Sequence, residues 1–375
     1  MSLLYRQSSR GHLVPQGWSV VPIGKLFKVT RGKVLSMNLV SSEHTDSMPF
    51  AVYSSQTKNK GLAGYYSDYL YEDAITWTTD GANAGDVNYR PGKFYCTNVC
   101  GVLLNTDGYA NSCVAAILNS VTRSYVSYVG NPKLMNDVMA KIEIPLPSLA
   151  EQRKIAEILK TWDEAIETAE AELKLKQDRK RWIMKTLLSS SAEQPGSLSL
   201  HGCPKVKLQE ICDVEWGNSE LTKSSYIQNG KYLAVSAAGC DGRIDHSEHK
   251  KNTPVISAIG ANCGRMFLPS EDFTAIKNTI TITPKESIAD GRYLYETLTF
   301  LELPKRGGAQ PFMSKGDIDN FKIPLPTLQH QKKIADVLRS TEADIEFIKT
   351  RIEALQNQKR GLMQKLLTGE IRVAV

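Results

Sequence analysis

The chain has 375 residues, of which 41% are hydrophobic and 23% charged, and its formal net charge is +6. That length predicts two or three domains with cores of their own, and the mild basic excess is compatible with a polyanionic partner. No apolar run approaches the roughly 18 residues of a membrane span and the N-terminus has no signal-like apolar core, so a cytoplasmic protein without membrane contact is expected. Seven cysteines include no Cys-x-x-Cys pair, which argues for free thiols packed as small hydrophobes rather than a zinc site.

Taken in order, residues 1 to about 16 are polar and aperiodic and read as an arm. Structure is expected from Gly17-Trp-Ser-Val-Val. From there to about 141, short apolar runs such as Pro49–Tyr53, Ala74–Trp77 and Gly101–Leu104 alternate with turn residues, including Gly81-Ala-Asn-Ala-Gly85. These predict strands and turns, with helices near Ser112–Asn119 and Ser120–Val129. Ile144-Pro-Leu-Pro-Ser-Leu149 then opens a long charged run. The prolines hold its entry extended, and Ser148 with Glu151 has the form of a capping box.

The pattern repeats. Ile323-Pro-Leu-Pro-Thr-Leu328 matches the first copy, and the offset from Ile144 to Ile323 then holds without a gap to Leu188 and Leu367. Gln152/Gln331, Ile155/Ile334, Leu159/Leu338, Ile166/Ile345 and Arg181/Arg360 are identical across it. Gly260-Ala-Asn-Cys-Gly264 falls on Gly81–Gly85 at the same offset, and Val206–Gly217 lines up with Val21–Gly32. Between these landmarks the halves share little, as two related modules for different ligands would. A duplication of this length is read before any other feature.

Both runs carry apolar residues at alternating spacings of three and four. In the first these are Ile155, Leu159, Trp162, Ile166 and Leu173, and in the second Ile334, Leu338, Ile345, Ile352 and Leu355. A seam sustained over about 41 residues predicts a coiled-coil helix of roughly 60 Å, whose natural partner is the other copy. Polar Lys176 and Lys180 interrupt the first seam. Ser189 to Ser197 breaks the first helix, and Gly369 suits the end of the second. The expected boundaries are a first module at 1–147, a helix at 148–189, a linker with the second module at 190–326, and a helix at 327–375.

Catalytic chemistry is missing from the sequence. It contains no Gly-x-x-x-x-Gly-Lys-Ser/Thr loop, no dinucleotide fingerprint and no His-Glu-x-x-His. Asn131-Pro-Lys-Leu shares only two letters with the catalytic loop of amino-methyltransferases. The six histidines are scattered, and His246 with His249 lacks a third ligand, so neither an enzyme nor a metal site is expected. The loops instead concentrate side chains that read base edges or neutralise phosphates. In the first half these are Arg31, Lys33, Ser54, Gln56, Lys58, Asn59, Lys60 and Asn83. In the second they are Arg243, His246, Asn262, Arg265, Lys305, Arg306 and Gln310. The two Gly-Ala-Asn-x-Gly turns could admit a phosphate or could be tight turns that the fold needs.

Two divergent modules, each closed by Ile-Pro-Leu-Pro-x-Leu-x-x-Gln-Arg/Lys-Lys-Ile-Ala and a long helix, with Gly369-Glu-Ile-Arg-Val373 at the end, resemble the DNA-specificity subunits of type I restriction-modification systems. The resemblance covers residues 17 to 373. It implies an α+β chain with two α/β target-recognition domains held apart by antiparallel helices in a coiled-coil spacer, with internal pseudo-two-fold symmetry. Each domain would read one half of a split site in double-stranded DNA. Two modification subunits would carry S-adenosylmethionine, and motor and nuclease subunits would use ATP and Mg; this chain would bind no cofactor. His330 replaces the Glu of the Glu-Gln pair in the second copy. A stand-alone bipartite DNA-binding protein and a coiled-coil scaffold for proteins are the rival readings.

Overall fold

The computed structural model describes residues 5–7, 13–55, 58–188, 200 and 202–374, with the backbone alone at 5–7, 13, 58 and 188. The chain divides into two units, residues 1–169 with 351–375, and residues 170–350.

The first unit opens with β1 (Tyr5–Gln7) and β2 (Leu13–Pro15), paired antiparallel. The expected loose arm is therefore partly a two-stranded ribbon. Three residues are too few to show a period, yet Val14 and Trp18 are fully buried. Then come β3 (Ser19–Pro22), the one-turn helix α1 (Ile23–Leu26), β4 (Lys28–Arg31), β5 (Phe50–Tyr53), β6 (Leu62–Tyr66), β7 (Tyr71–Thr78), β8 (Val87–Cys96) and β9 (Cys100–Leu104). Six of these strands form one sheet in the order β4-β9-β7-β8-β5-β6, antiparallel except for the β5–β8 pair. The helix α2 (Ser112–Val121) packs on it, capped by Asn111, whose Oδ1 accepts from the Val114 amide at 3.0 Å.

The helix expected over Ser120–Val129 is only a 3-10 turn at Thr122–Tyr125. Thr122 Oγ1 donates to the Gly85 carbonyl at 2.6 Å, which draws the chain out of helical register. After α3 (Asn136–Lys141), β10 (Glu143–Leu146) pairs with β3 and leads into α4 (Leu149–Leu188).

The second unit repeats this plan. It runs through β11 (Lys205–Lys207), α5 (Leu208–Ile211), β12 (Cys212–Trp216), β13 (Tyr232–Ser236), β14 (Gly239–Ile244), β15 (Val255–Ser257), β16 (Met266–Phe267), β17 (Phe273–Ala275) and β18 (Thr279–Pro284). The helices α6 (Gly291–Leu301) and α7 (Lys315–Asp319), the strand β19 (Lys322–Pro324) and α8 (Leu328–Leu367) complete it. Seven of its strands form two sheets, β12-β18-β15-β16 and β14-β13-β17, and β11 pairs with β19. Carried across by the repeat offset, the single strand β8 falls on both β16 and β17. The interruption contains Pro269, which has no N–H to give to a ladder, and one sheet becomes two.

The two Gln residues of the repeated motif are fully buried, and each ties a proline-rich entry to its module. Gln152 Nε2 donates to the Pro147 carbonyl at 2.8 Å, and Gln331 Nε2 to that of Pro326 at 2.9 Å. Their Oε1 atoms accept from Asn111 and from the Asp290 amide, each at 2.9 Å. Asn111 and Asp290 themselves cap α2 and α6. The capping box expected at Ser148 is only half formed. Ser148 Oγ accepts from the Glu151 amide, but the Glu151 carboxylate turns away to Trp18 Nε1 at 3.0 Å and Arg372 Nε at 2.6 Å. This contact belongs to the first unit alone, so His330 breaks nothing in the second.

The long helices pair antiparallel within each unit. In the first, Ile155 and Leu159 of α4 share a core with Leu366 and Leu367 of α8, and Lys359 meets Asp163 at 2.7 Å. In the second, Ile334 and Leu338 join Met184 and Leu187, and Lys176 meets Asp344 at 2.8 Å. Ile345 and Ile352 are buried, while Trp162, Ile166, Leu173 and Leu355 are half-buried. The polar seam residue Lys180 reaches Glu296 of α6, a fully buried carboxylate, at 3.0 Å and Glu342 at 3.4 Å. Its repeat equivalent is Lys359.

Candidate nucleic-acid interface

The feature most faithfully duplicated in the two modules is a turn held by a proline carbonyl. In Gly81–Gly85, Ala84 N donates to Gly81 O at 2.9 Å, Gly85 N to Thr78 O at 2.9 Å and Gly81 N to Pro132 O at 2.9 Å. In Gly260–Gly264 the same bonds run from Cys263 N to Gly260 O, Gly264 N to Ser257 O and Gly260 N to Pro311 O, at 2.9, 2.8 and 2.9 Å. Gly85 has φ +89°, and a Cβ there would come within 2.9 Å of Val126 Cγ2. Gly264 has φ +87°, and a Cβ there would collide with Lys305. Because these amides are used within the turn, the tight-turn reading holds and the turn offers few donors for a phosphate.

The proline belongs to a second loop, closed in each module by a reciprocal backbone pair. Ser127 and Lys133 exchange two bonds of 2.9 Å, as do Arg306 and Phe312. The backbones correspond and the side chains at the tips do not. The first carries Tyr128, Val129 and Asn131, with Tyr128 and Val129 69% and 91% exposed. The second carries Gly307, Gly308, Ala309 and Gln310.

Several residues singled out in the sequence converge here. In the second module Asn262, Arg265, Lys305, Arg306 and Gln310 are all exposed around the turn. Arg265 lies over the Phe267 ring, 5.4 Å from its centroid, and Arg306 is tied to Asp317. In the first module Arg31 approaches Asp80 at 3.9 Å, its Nε buried without a partner, and Asn83 Nδ2 donates to the Ser55 carbonyl at 3.1 Å. Lys33 is exposed on the segment after β4. Ser54 Oγ meets Thr97 Oγ1 at 3.0 Å, and Asn59 and Lys60 are exposed with φ near +51° and +52°. Gln56 and the Lys58 side chain lie outside the described residues.

Arg243 and His246 are elsewhere. Arg243 is paired with Glu271 at 3.0 Å, and His246 Nε2 lies 3.5 Å from Glu248. Both glutamates line a groove of about 1160 Å3 that also holds Asp213, Glu215 and Glu286. Seven carboxylates outnumber Lys250, Lys251 and Lys332 along that groove, and an excess of acidic groups is a less favourable neighbour for a phosphate backbone than the turn cluster. Near it the Asp241 carboxyl, which burial raises, is held below its ordinary value by hydrogen bonds from Lys223, Tyr226 and Ser236.

Two groups escaped sequence reasoning. Tyr128 and Val129 read as the end of a helix, and only the repeat offset to Gly307-Gly308 could have placed them at a loop tip. Arg90 precedes Pro91-Gly92, which reads as a turn, yet it sits inside β8 and is 6% exposed. Its Nε donates to Thr76 Oγ1 at 3.0 Å and its Nη2 to the Lys60 carbonyl at 2.6 Å. Its guanidinium carbon lies 3.7 Å from the Tyr53 ring centroid, and burial lowers its proton affinity.

Comparison with known proteins adds the following. A family profile described as type I restriction modification DNA specificity domain matches residues 15–177 and again 202–357. The type I restriction enzyme MjaVIII specificity subunit of Methanocaldococcus jannaschii is 27% identical, over 97% of this chain and 95% of that protein. The type I restriction enzyme MpnII specificity subunit of Mycoplasma pneumoniae is 31% identical over 44% of this chain and 52% of its own length. The crystal structure of a type I restriction-modification system S subunit from M. genitalium superposes with a TM-score of 0.70, at 17% identity, covering 93% of this chain and 96% of that one.

Proposed function

The chain belongs to the type I restriction-modification DNA-specificity family, and from that premise we propose that its two units each read one half of a split DNA site through the turn-and-clamp loops. The observation that carries this is the contrast at those loops. The backbone bonds recur at the same positions and nearly the same lengths, and the turn keeps its Asn83 and Asn262, while all four residues at the clamp tips, 128–131 and 307–310, differ. A constant frame with exchanged side chains is what reading two different half-sites requires, since base edges are distinguished by donor and acceptor pattern. In the first unit Arg31, Lys33, Ser54, Lys60 and Asn83 stand nearest this role, with Tyr128 and Val129 available for apolar contact with a thymine methyl. In the second, Asn262, Arg265, Lys305, Arg306 and Gln310 do.

The helices α4 and α8, 40 residues each, set the distance between half-sites. About 60 Å of helix is under two turns of DNA at about 34 Å each. Two modification subunits dock on the chain and supply S-adenosylmethionine and the methyl-transfer chemistry. Motor and nuclease subunits join that assembly and use ATP and Mg. The specificity subunit contributes position and selection, and transfers nothing itself.

Co-expression with a type I methyltransferase subunit from the same genome, followed by sequencing of methyladenine in the host, tests the proposal. A split motif with a fixed gap is expected. A stable assembly that leaves no new methylation contradicts it, and failure to assemble at all favours the stand-alone DNA-binding reading.

A further inference from the structure

One cavity in the first unit carries a charge that the fold does not balance. It has a volume of about 310 Å3 and is walled by Arg90, Lys60 and Arg123, with Ser54 and Asn88 among its polar neighbours. Its one carboxylate, Asp86, is already paired with Arg123 at 2.7 Å. Lys60 is 3.9 Å from Asp163, at the limit of an ion pair. Arg90 has no carboxylate within 4.0 Å among the described residues. Burying a cation without a counter-charge is unfavourable, and such a group persists where something offsets it. The Tyr53 ring covers one face of the guanidinium, while Thr76 and the Lys60 carbonyl accept from Nε and Nη2. The Tyr53 hydroxyl is the one further hydrogen-bonding partner of the guanidinium among the described residues, and no carboxylate adjoins Nη1. The loop it braces holds two successive residues, Asn59 and Lys60, in the left-handed region, a conformation that surrounding structure must maintain.

The duplicate shows that the module does not need this cation to fold. At the same offset the second unit has Pro269, and β13, the equivalent of β5, forms without a buried arginine above it. Arg90 is therefore an addition to the shared frame. We propose that this cavity is a phosphate site: Arg90 Nη1 and the Lys60 ammonium take the non-bridging oxygens of one DNA backbone phosphate within the half-site read by the first unit. The proposal rests on the DNA-reading role above and adds a fixed anchor to it. Such a contact sets register and carries no base information of its own.

The test uses the full chain assembled with its methyltransferase partners and a duplex bearing the methylated motif. A single neutral methylphosphonate is walked along the first half-site, against wild type and Arg90→Gln. Wild-type affinity should fall about ten-fold at one linkage, and the variant should be indifferent there. The variant's slope of log affinity against log salt should be shallower by about 0.9, and Arg90→Lys, which keeps the charge, should retain the wild-type slope. An unchanged second half-site and melting temperature report that Arg90→Gln is folded. If it binds more weakly with the wild-type slope and the wild-type response at every linkage, Arg90 only braces the loop and the proposal is overturned. If inorganic phosphate raises the melting temperature of wild type but not of Arg90→Gln while the scan is flat, the cavity takes a free phosphate and the DNA contact is overturned. A wild-type assembly that neither binds nor methylates DNA overturns the parent reading as well, a result distinct from a flat scan.

Discussion

At the scale of single residues, the first unit is closed by Glu151. Its buried carboxylate accepts from Trp18 Nε1 and from Arg372 Nε and Nη2, at 3.0, 2.6 and 3.0 Å, and Arg372 also donates to the Gln16 carbonyl at 2.7 Å. Arg372→Ala leaves that carboxylate with the indole alone and should cost about 1–3 kcal/mol in a denaturant titration. Adding Glu151→Gln should recover part of the loss, because no uncompensated charge then remains; a further loss on adding it would count against the ion-pair account. The thiols make a second prediction. Burial pushes Cys100 up to about 11 and Cys113 and Cys212 to about 12, so these groups stay protonated at pH 8. Cys240 alone is exposed, and although burial of its sulfur and the nearby Asp241 raise its thiol too, it is the one that a reagent can reach. A native thiol titration at pH 8 should show one fast group, lost in Cys240→Ser, and two or more fast groups would contradict the burial. The packed free thiols were legible from the absence of a Cys-x-x-Cys pair, and the Glu151 contact was not. Glu151 reads as a capping partner from local spacing, and its true partners are 133 and 221 residues away.

Among the elements, the long helices were legible because an apolar period of three and four, sustained along the whole of α4 and again along α8, has few other solutions. The lysines in the seam were not. Lys176 finds Asp344 on α8, and Lys180 makes sense only with α6 in place, where Lys180 and Arg292 share Glu296 at 3.0 and 2.9 Å and both also contact Glu342. Lys180→Leu or Arg292→Leu alone leaves Glu296 one partner, while the double variant leaves a buried carboxylate with none. A double-mutant cycle read by chemical denaturation should give a coupling of about 1–3 kcal/mol beyond additivity. Additive losses would mean that the two cations act separately. The strands were legible as a class but not as a sheet. In β8, Pro91-Gly92 reads as a turn, and the strand passes through it with a bulge opposite Asp73. Arg90 was hidden with it. Likewise the loop tips could not be found by composition, because Tyr128-Val129 and Gly307-Gly308 have nothing in common except their place in the repeat.

For the whole molecule, the central prediction concerns the distance between half-sites. Inserting four residues after Ala169 in α4 and four after Ile348 in α8 adds about 6 Å to each helix, roughly two base pairs of DNA. The methylated motif should keep both half-sites and widen its gap, and an unchanged gap would remove the helices from that role. A different consequence comes from the division of the chain. The second unit is one unbroken stretch, residues 170–350, whereas the first draws on both ends of the polypeptide. Leu366, Leu367 and Arg372 complete a core and an ion pair begun by Trp18, Glu151 and Ile155. The module that leaves the ribosome first is thus the last that can be finished, waiting on codons translated only after the whole of the second module. A stop codon introduced just after residue 350 would spare the second module and disable the first, so its mark on the methylome would appear in the first half-site.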